Sequence, residues 1–168
     1  MNLDDIQSGS LCVADTNVLL YAEQGTSHQS QRLLRRCATG DLLITLPQTV
    51  WHELTHKLML AEAMMNGSIS GPNPARKLAR RPDVVKGLAI YREKISALVK
   101  LGLGFEPCTS ADFFETAFAN QERYGLLMND SLILASALRL KADVLVTADM
   151  AFRDIVELQV AMPSDLKP

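Results

Sequence analysis

Apolar residues in this chain occur in two kinds of stretch that follow one another. Short uninterrupted runs, four or so residues long, read as strands buried on both faces. Longer stretches with apolar residues three or four apart read as amphipathic helices. Leu11 to Ala14 is the first short run, and it stops at Asp15. Thr16 to Ala22 then places Val18, Leu19 and Ala22 at helical spacing, until Gly25-Thr26-Ser27 interrupts it. Ser27 suits the N-cap of a helix running through Cys37, with Leu33, Leu34 and Cys37 inward, Arg32, Arg35 and Arg36 mostly outward, and Gly40 as its stop. Leu42 to Thr45 is a second strand, and Pro47 suits the first turn of a helix carrying Val50, Leu54, Leu58 and Ala61.

Asn66-Gly67 and Ser70-Gly71-Pro72-Asn73-Pro74 then break the periodicity. The segment Met64 to Pro82, rich in Gly, Pro, Ser and Arg, reads as an inserted loop or mobile helical arm. Val84 to Val99 predicts one amphipathic helix, Leu103 to Glu106 a third strand, and Ser110 to Gln121 a helix. Met128 to Leu140 predicts the clearest helix, followed by a strand at Val144 to Val146 and an edge strand at Leu158 to Ala161. Residues 1–10 form a polar N-terminal extension. Strands alternating with helices predict an α/β protein, a mostly parallel central sheet between helical layers, in one domain over 1–168.

Composition narrows the class without deciding it. The chain has 168 residues, 48% apolar and 21% charged, which fits one ordinary globular domain. A net charge of −2 excludes a uniformly basic nucleic-acid binder, so any polyanion must meet a local basic patch or a metal. Cys12, Cys37 and Cys108 are odd in number and lack CxxC spacing, which argues against a disulfide framework and a structural zinc site and for a reducing, cytoplasmic compartment. The first ten residues lack the basic start and apolar run of a signal peptide, and no apolar run approaches the length of a membrane span.

The candidate chemistry lies in four acidic stretches: Val13-Ala14-Asp15-Thr16-Asn17, Trp51-His52-Glu53-Leu54, Met128-Asn129-Asp130-Ser131 and Val146-Thr147-Ala148-Asp149. Each sets a carboxylate at or near the junction of an apolar strand or loop with a helix, and such junctions converge in a parallel α/β sheet. Like charges a few ångströms apart raise one another's pKa, and hard divalent cations such as Mg²⁺ or Mn²⁺ relieve the conflict. The pattern points to a metal-dependent enzyme acting on phosphate esters. Asn17 can hydrogen-bond within the site, and Thr147 can orient a phosphate or a bound water.

Each position also has an ordinary reading. Asp15 suits an N-cap, Glu53 an i,i+4 surface pair with Lys57, Asp130 the favourable end of a helix dipole, and Asp149 a turn. Asp112 and Asp143 read as helix-start and loop residues. His52-Glu53-Leu54-Thr55-His56 matches the HExxH pattern of zinc hydrolases, an alternative that would leave the other three acidic junctions without a role. Arg76, Lys77, Arg80, Arg81 and Lys86 form the strongest basic cluster, able to track an RNA backbone, meet an acidic partner, or simply make a solvated helical face. Trp51 and Tyr91 could stack a base but suit core packing better. A haloacid-dehalogenase-like site would want a second Asp where Asn17 stands, and a receiver domain would want paired acids at the first strand.

Taken in order, the four stretches resemble the PIN-domain ribonucleases, and within them the VapC-like toxins of toxin–antitoxin pairs. Ala14-Asp15-Thr16-Asn17-Val18-Leu19 looks like the opening strand and first acid, and Val50-Trp51-His52-Glu53-Leu54 the helical Glu. Met128 to Ala137 is similar to the third acid and its helix, and Leu145 to Phe152 to the terminal Thr-x-Asp element with its trailing Phe. The resemblance implies a three-layer α/β/α sandwich and Mg²⁺- or Mn²⁺-dependent endoribonuclease cleavage by Asp15, Glu53, Asp130 and Asp149. It implies RNA as substrate, a small antitoxin as partner and a homodimer. A PIN-type RNA-processing nuclease outside such a pair, or a non-catalytic RNA- or protein-binding module on the same scaffold, are the neighbouring alternatives. Two features depart from the pattern: the 64–82 segment is long for a toxin, and Met150-Ala151 lacks the further acid that some members carry after Asp149.

Overall fold

The computed structural model describes residues 1–166. Its centre is a sheet of β1 (Leu11–Ala14), β2 (Leu43–Pro47), β3 (Gly104–Glu106), β4 (Val144–Val146) and β5 (Gln159–Ala161). The strands run parallel in the order β3-β2-β1-β4-β5. β1 and β4 are fully buried apart from Leu11, as their unbroken apolar runs require. Every predicted strand is present, and helices cover the sheet to give the three-layer α/β/α sandwich. Gly104 lets β3 approach β2, since a Cβ there would lie 2.5 Å from Thr45 Oγ1.

The connecting helices are α1 (Thr16–Gln24), α2 (His28–Ala38), α3 (Gln48–Met65), α4 (Pro74–Leu78), α5 (Pro82–Gly87), α6 (Ile90–Lys100), α7 (Ala117–Tyr124) and α8 (Met128–Arg139). Ser27 caps α2 by accepting from Ser30 N, and Pro47 sits at the N-cap of α3. α8 is buried all round from Ser131 to Ala137, which is why its apolar stripe is so complete, and it packs against β1, β2 and β4. Trp51 is buried and donates its indole N–H to Gly104 O at 3.2 Å, so it serves the core. No helix among the described residues is long and apolar enough to cross a membrane.

Three sequence expectations need correction. The polar N-terminal extension is part of the core: Leu3 and Ile6 are buried, and Asn2 bridges Met162 beside β5. Two apolar residues spaced three apart give too short a pattern to stand out among polar neighbours. The single helix over Val84–Val99 is two helices, broken at Leu88-Ala89. Leu88 turns into a small core, and Glu62 of α3 accepts from Ala89 N at 2.9 Å and Tyr91 N at 2.8 Å, capping α6 from outside its own sequence. The 64–82 segment contains α4 and is packed down rather than loose: Ile69, Leu78 and Leu88 bury themselves against Ala63 of α3. Asp112 stands at a helix start as expected, in the π-helical turn Asp112–Thr116, and its buried carboxylate also receives Arg139 Nε at 3.0 Å besides Thr109 N at 2.9 Å.

Candidate active site

Chain topology decides where the acids meet. From β1 the chain steps to β2 and β3 on one side, then returns to place β4 on the other side of β1. The carboxyl ends of β1 and β4 therefore flank the switch point of the sheet, the usual ligand crevice of an open α/β fold. Asp15 follows the last residue of β1, and its N–H donates to Val146 O at 2.9 Å, fixing the two strand ends together.

Asp15 is buried, 6% exposed, and caps α1. Its Oδ1 accepts from Thr16 N at 2.6 Å, while its Oδ2 accepts from Asn17 Nδ2 at 2.7 Å and Thr147 Oγ1 at 2.8 Å. Thr147, fully buried, also accepts from Asp149 N at 2.9 Å. Asn17 Oδ1 accepts from Ala148 N at 2.9 Å. Asn17 thus hydrogen-bonds within the site, as the sequence suggested, while the partners of the Thr147 hydroxyl are Asp15 and the backbone of Asp149, in place of the phosphate or bound water expected of it. Asp149 caps the short 3-10 turn Met150–Phe152 by accepting from Ala151 N at 2.8 Å, and Phe152 beneath it is fully buried.

Glu53 stands in the second turn of α3. Thr16 Oγ1 donates to its Oε2 at 2.9 Å, and Lys57 Nζ lies 2.6 Å from its Oε1. The surface pair expected of Glu53 therefore forms, and it is also part of the site. Asp130 lies in the first turn of α8, whose start is joined to α3 by Thr49 Oγ1 and Asn129 Oδ1 at 3.1 Å. Burial, followed by the charges of Asp149, Asp15 and Glu53, pushes the Asp130 carboxyl up to about 6. Burial also raises Asp15, against the opposing bonds from Thr147 and Thr16 N, with the charges of Glu53 and Asp149 raising it further. Asp130 and Asp15 thus each lie within electrostatic reach of the other three acids. The structure also brings in Thr16 and Lys57, which the sequence reading did not assign; a buried Thr directly after a strand-terminal Asp is the signal for the first.

Among the described residues, no three His, Cys, Asp or Glu side chains stand as a ready ion-binding group. The donor set nevertheless suits a hard divalent cation: four carboxylates on separate elements, with Lys57 paired to Glu53. Asp15 and Glu53 are already bonded within the protein, so an ion would be held largely through waters, or directly after Lys57 moves off Glu53. His52 and His56 are exposed side chains on α3 and gather no third ligand, so the zinc reading lacks its site. Arg76, Lys77, Arg80 and Arg81 lie on the 64–87 segment, outside the crevice.

These features define an α/β fold carrying an acidic crevice at its switch point. The PIN domain family model matches residues 12–158, and the chain belongs to that family. No curated protein matches the sequence. Among solved structures, the fold is similar to VapBC2 from Rickettsia felis bound to a DNA fragment from its promoter, at 17% identity and TM-score 0.57, covering 90% of this chain and 98% of that one. It is similar to a toxin–antitoxin complex from Klebsiella pneumoniae, at 16% identity and TM-score 0.57, covering 88% and 94%. It is also similar to VapC20 of Mycobacterium tuberculosis, a sarcin-ricin loop cleaving toxin, at 12% identity and TM-score 0.55, covering 88% and 98%.

Proposed function

We propose that the protein is a metal-dependent endoribonuclease, the toxin of a toxin–antitoxin pair. The observation that carries the reading is the bonded chain that joins acids from separate parts of the sequence: Thr147 ties Asp15 to the backbone of Asp149, and Thr16 ties Asp15 to Glu53, while burial and then the charges of these three acids push Asp130 up. A crevice of that charge suits hard cations and the phosphate they recruit. Membership of the PIN family and the likeness of fold to toxin structures support the choice of RNA.

Asp15, Glu53, Asp130 and Asp149 would hold Mg²⁺ or Mn²⁺, directly or through waters. Such an ion, when bound, supplies charge neutralisation at the phosphate and a lowered pKa for the attacking water. The chain's own groups do the positioning. Thr147, Asn17 and Thr16 N fix both oxygens of Asp15. Thr16 aims Glu53, and Asp149 is set by its bond to Ala151 N. Water adds to phosphorus, the bond to the 3′ oxygen breaks, and that oxygen leaves with a proton. The products are then a 5′-phosphate and a 3′-hydroxyl, as the family resemblance implies. We also propose a small antitoxin as partner and a homodimer as the assembly, which co-expression with candidate antitoxins and light scattering would test.

The deciding experiment incubates single-stranded RNA with the protein in MgCl₂, in MnCl₂ and in EDTA. Internal cleavage is expected with either metal, with none in EDTA or with Asp130→Asn. Cleavage that persists in that variant would refute the site assignment.

A further inference from the structure

We propose that the 64–87 arm is a fixed phosphate-binding track that grips the RNA strand to one side of the cleaved bond. The inference rests on the nuclease reading above and names how that site would hold its substrate.

The arm is built to keep its place. Ile69, Leu78 and Leu88 form a small core with Ala63, and Met59, Leu60, Val84, Val85 and Tyr91 pack around it. Glu62, 9% exposed, fastens the far end by accepting from the N–H groups of Ala89 and Tyr91. Segments that bury their own apolar residues keep a defined position, unlike linkers of similar Gly and Pro content.

Its charge is one-sided. Between Met64 and Gly87 stand five cations, Arg76, Lys77, Arg80, Arg81 and Lys86, against one carboxylate, Asp83, in a chain whose net charge is −2. Arg81 pairs with Asp83 at 3.1 Å, and Lys77 donates to Ser70 O. Arg76, Arg80 and Lys86 are exposed and make no ion pair among the described residues. An arginine with its donors facing water offers a planar fork that matches phosphate geometry.

The arm also shares a helix with the acids. Glu53 and Lys57 lie on the first half of α3, while the arm packs on residues from Met59 to Ala63. At about 1.5 Å rise per residue, the arm begins roughly 10 Å beyond Glu53. α3 carries no carboxylate between Glu53 and Glu62, and its exposed residues there include His56 and Lys57. A strand with its scissile phosphate at the crevice that followed α3 would meet the arginines of the arm a few nucleotides further on. An acidic protein segment would explain the arm's charge, but the arm's seat on α3, the helix that carries Glu53, favours RNA as the occupant assigned.

The test uses the full chain in EDTA, so that binding is read without cleavage, with a fluorescent unstructured 20-nucleotide RNA and a 4-nucleotide RNA. Anisotropy titrations run from 50 to 200 mM KCl. For single strands, each phosphate contact adds about 0.7 to the slope of log affinity against log salt, so Arg76→Ala/Arg80→Ala is expected to reduce the slope by about 1.4. Affinity for the 4-nucleotide RNA, and its cleavage in Mg²⁺, should not change. Arg76→Lys/Arg80→Lys should restore most of the slope, which a merely misfolded arm would not. An unchanged slope for the long RNA overturns the track, as does equal loss on both lengths. Loss of polyglutamate binding with an unchanged RNA slope overturns it in favour of an acidic protein partner. If wild type cleaves RNA but shows no effect of the arm, this inference alone falls; if wild type neither binds nor cleaves RNA, the nuclease reading falls with it.

Discussion

Thr147 donates its hydroxyl to Asp15 Oδ2 at 2.8 Å, joining residues 132 positions apart in the chain. The Thr147 oxygen also accepts from Asp149 N, so one buried hydroxyl sets the carboxylate after β1 and the backbone that carries the acid after β4. Thr147→Val keeps the shape and removes both bonds. A buried donor or acceptor left unsatisfied costs about 1–3 kcal/mol. The variant should therefore unfold at lower urea and cleave RNA more slowly, and Thr147→Ser should recover both properties. Wild-type stability and rate in Thr147→Val would show that the hydroxyl is dispensable.

Asp130 carries the conflict between stability and function most plainly. Its carboxyl is pushed up by burial and by three neighbouring acids, so its ionised form strains the metal-free fold. Asp130→Asn removes that charge at nearly constant shape. In EDTA at pH 7.5 the variant is expected to melt at a higher temperature than wild type while losing cleavage. A lower melting temperature would mean that Asp130 supports the fold.

The same group fixes the sign of the pH dependence. Asp130 titrates at about 6 in the folded protein, against 3.8 as its ordinary value. The native state thus holds this proton more tightly than the unfolded chain does. Its contribution is fully present below the unfolded pKa and is lost as pH rises through the folded value. Asp15, also raised, acts in the same direction. Metal-free protein should lose stability between about pH 4 and pH 6 through Asp130, and Mn²⁺ at neutral pH should return it, because a ligand of the folded state stabilises it. Cleavage should fall as pH drops below about 6, where protons compete for the site. Calorimetric melts from pH 4 to 8, with and without Mn²⁺, measure both limbs.

Lys57 occupies Glu53 Oε1 at 2.6 Å, where a cation would otherwise act. Both side chains are partly exposed, and such pairs contribute at most about 1 kcal/mol to stability. Lys57→Met should therefore leave the melting temperature nearly unchanged but shift the Mn²⁺ midpoint for binding to lower concentration. A weaker midpoint would mean that Lys57 prepares the site for metal instead of guarding it.

Most of the sheet was legible because each strand is a short apolar run that stops at a polar junction, as Leu11–Ala14 stops at Asp15. The two acids at strand ends followed from the same pattern. Less visible were contacts between elements distant in sequence. Nothing local marks Glu62 as the cap that divides α5 from α6, and nothing in Asp112's neighbours announces Arg139. Leu3 and Ile6 were hidden by their polar company, although both are buried. The Glu53–Lys57 pair was legible as spacing, but its place in the crevice needed Thr16 and the fold around it.

The most direct measurement is a calorimetric titration of the metal-free protein with MnCl₂ at pH 7.5, for wild type, Asp15→Asn, Asp130→Asn and His52→Ala. Saturable binding in wild type and His52→Ala, weakened in both aspartate variants, is the expected result. Absence of saturable heat at millimolar Mn²⁺, or binding that survives both aspartate changes, would contradict a shared acidic crevice.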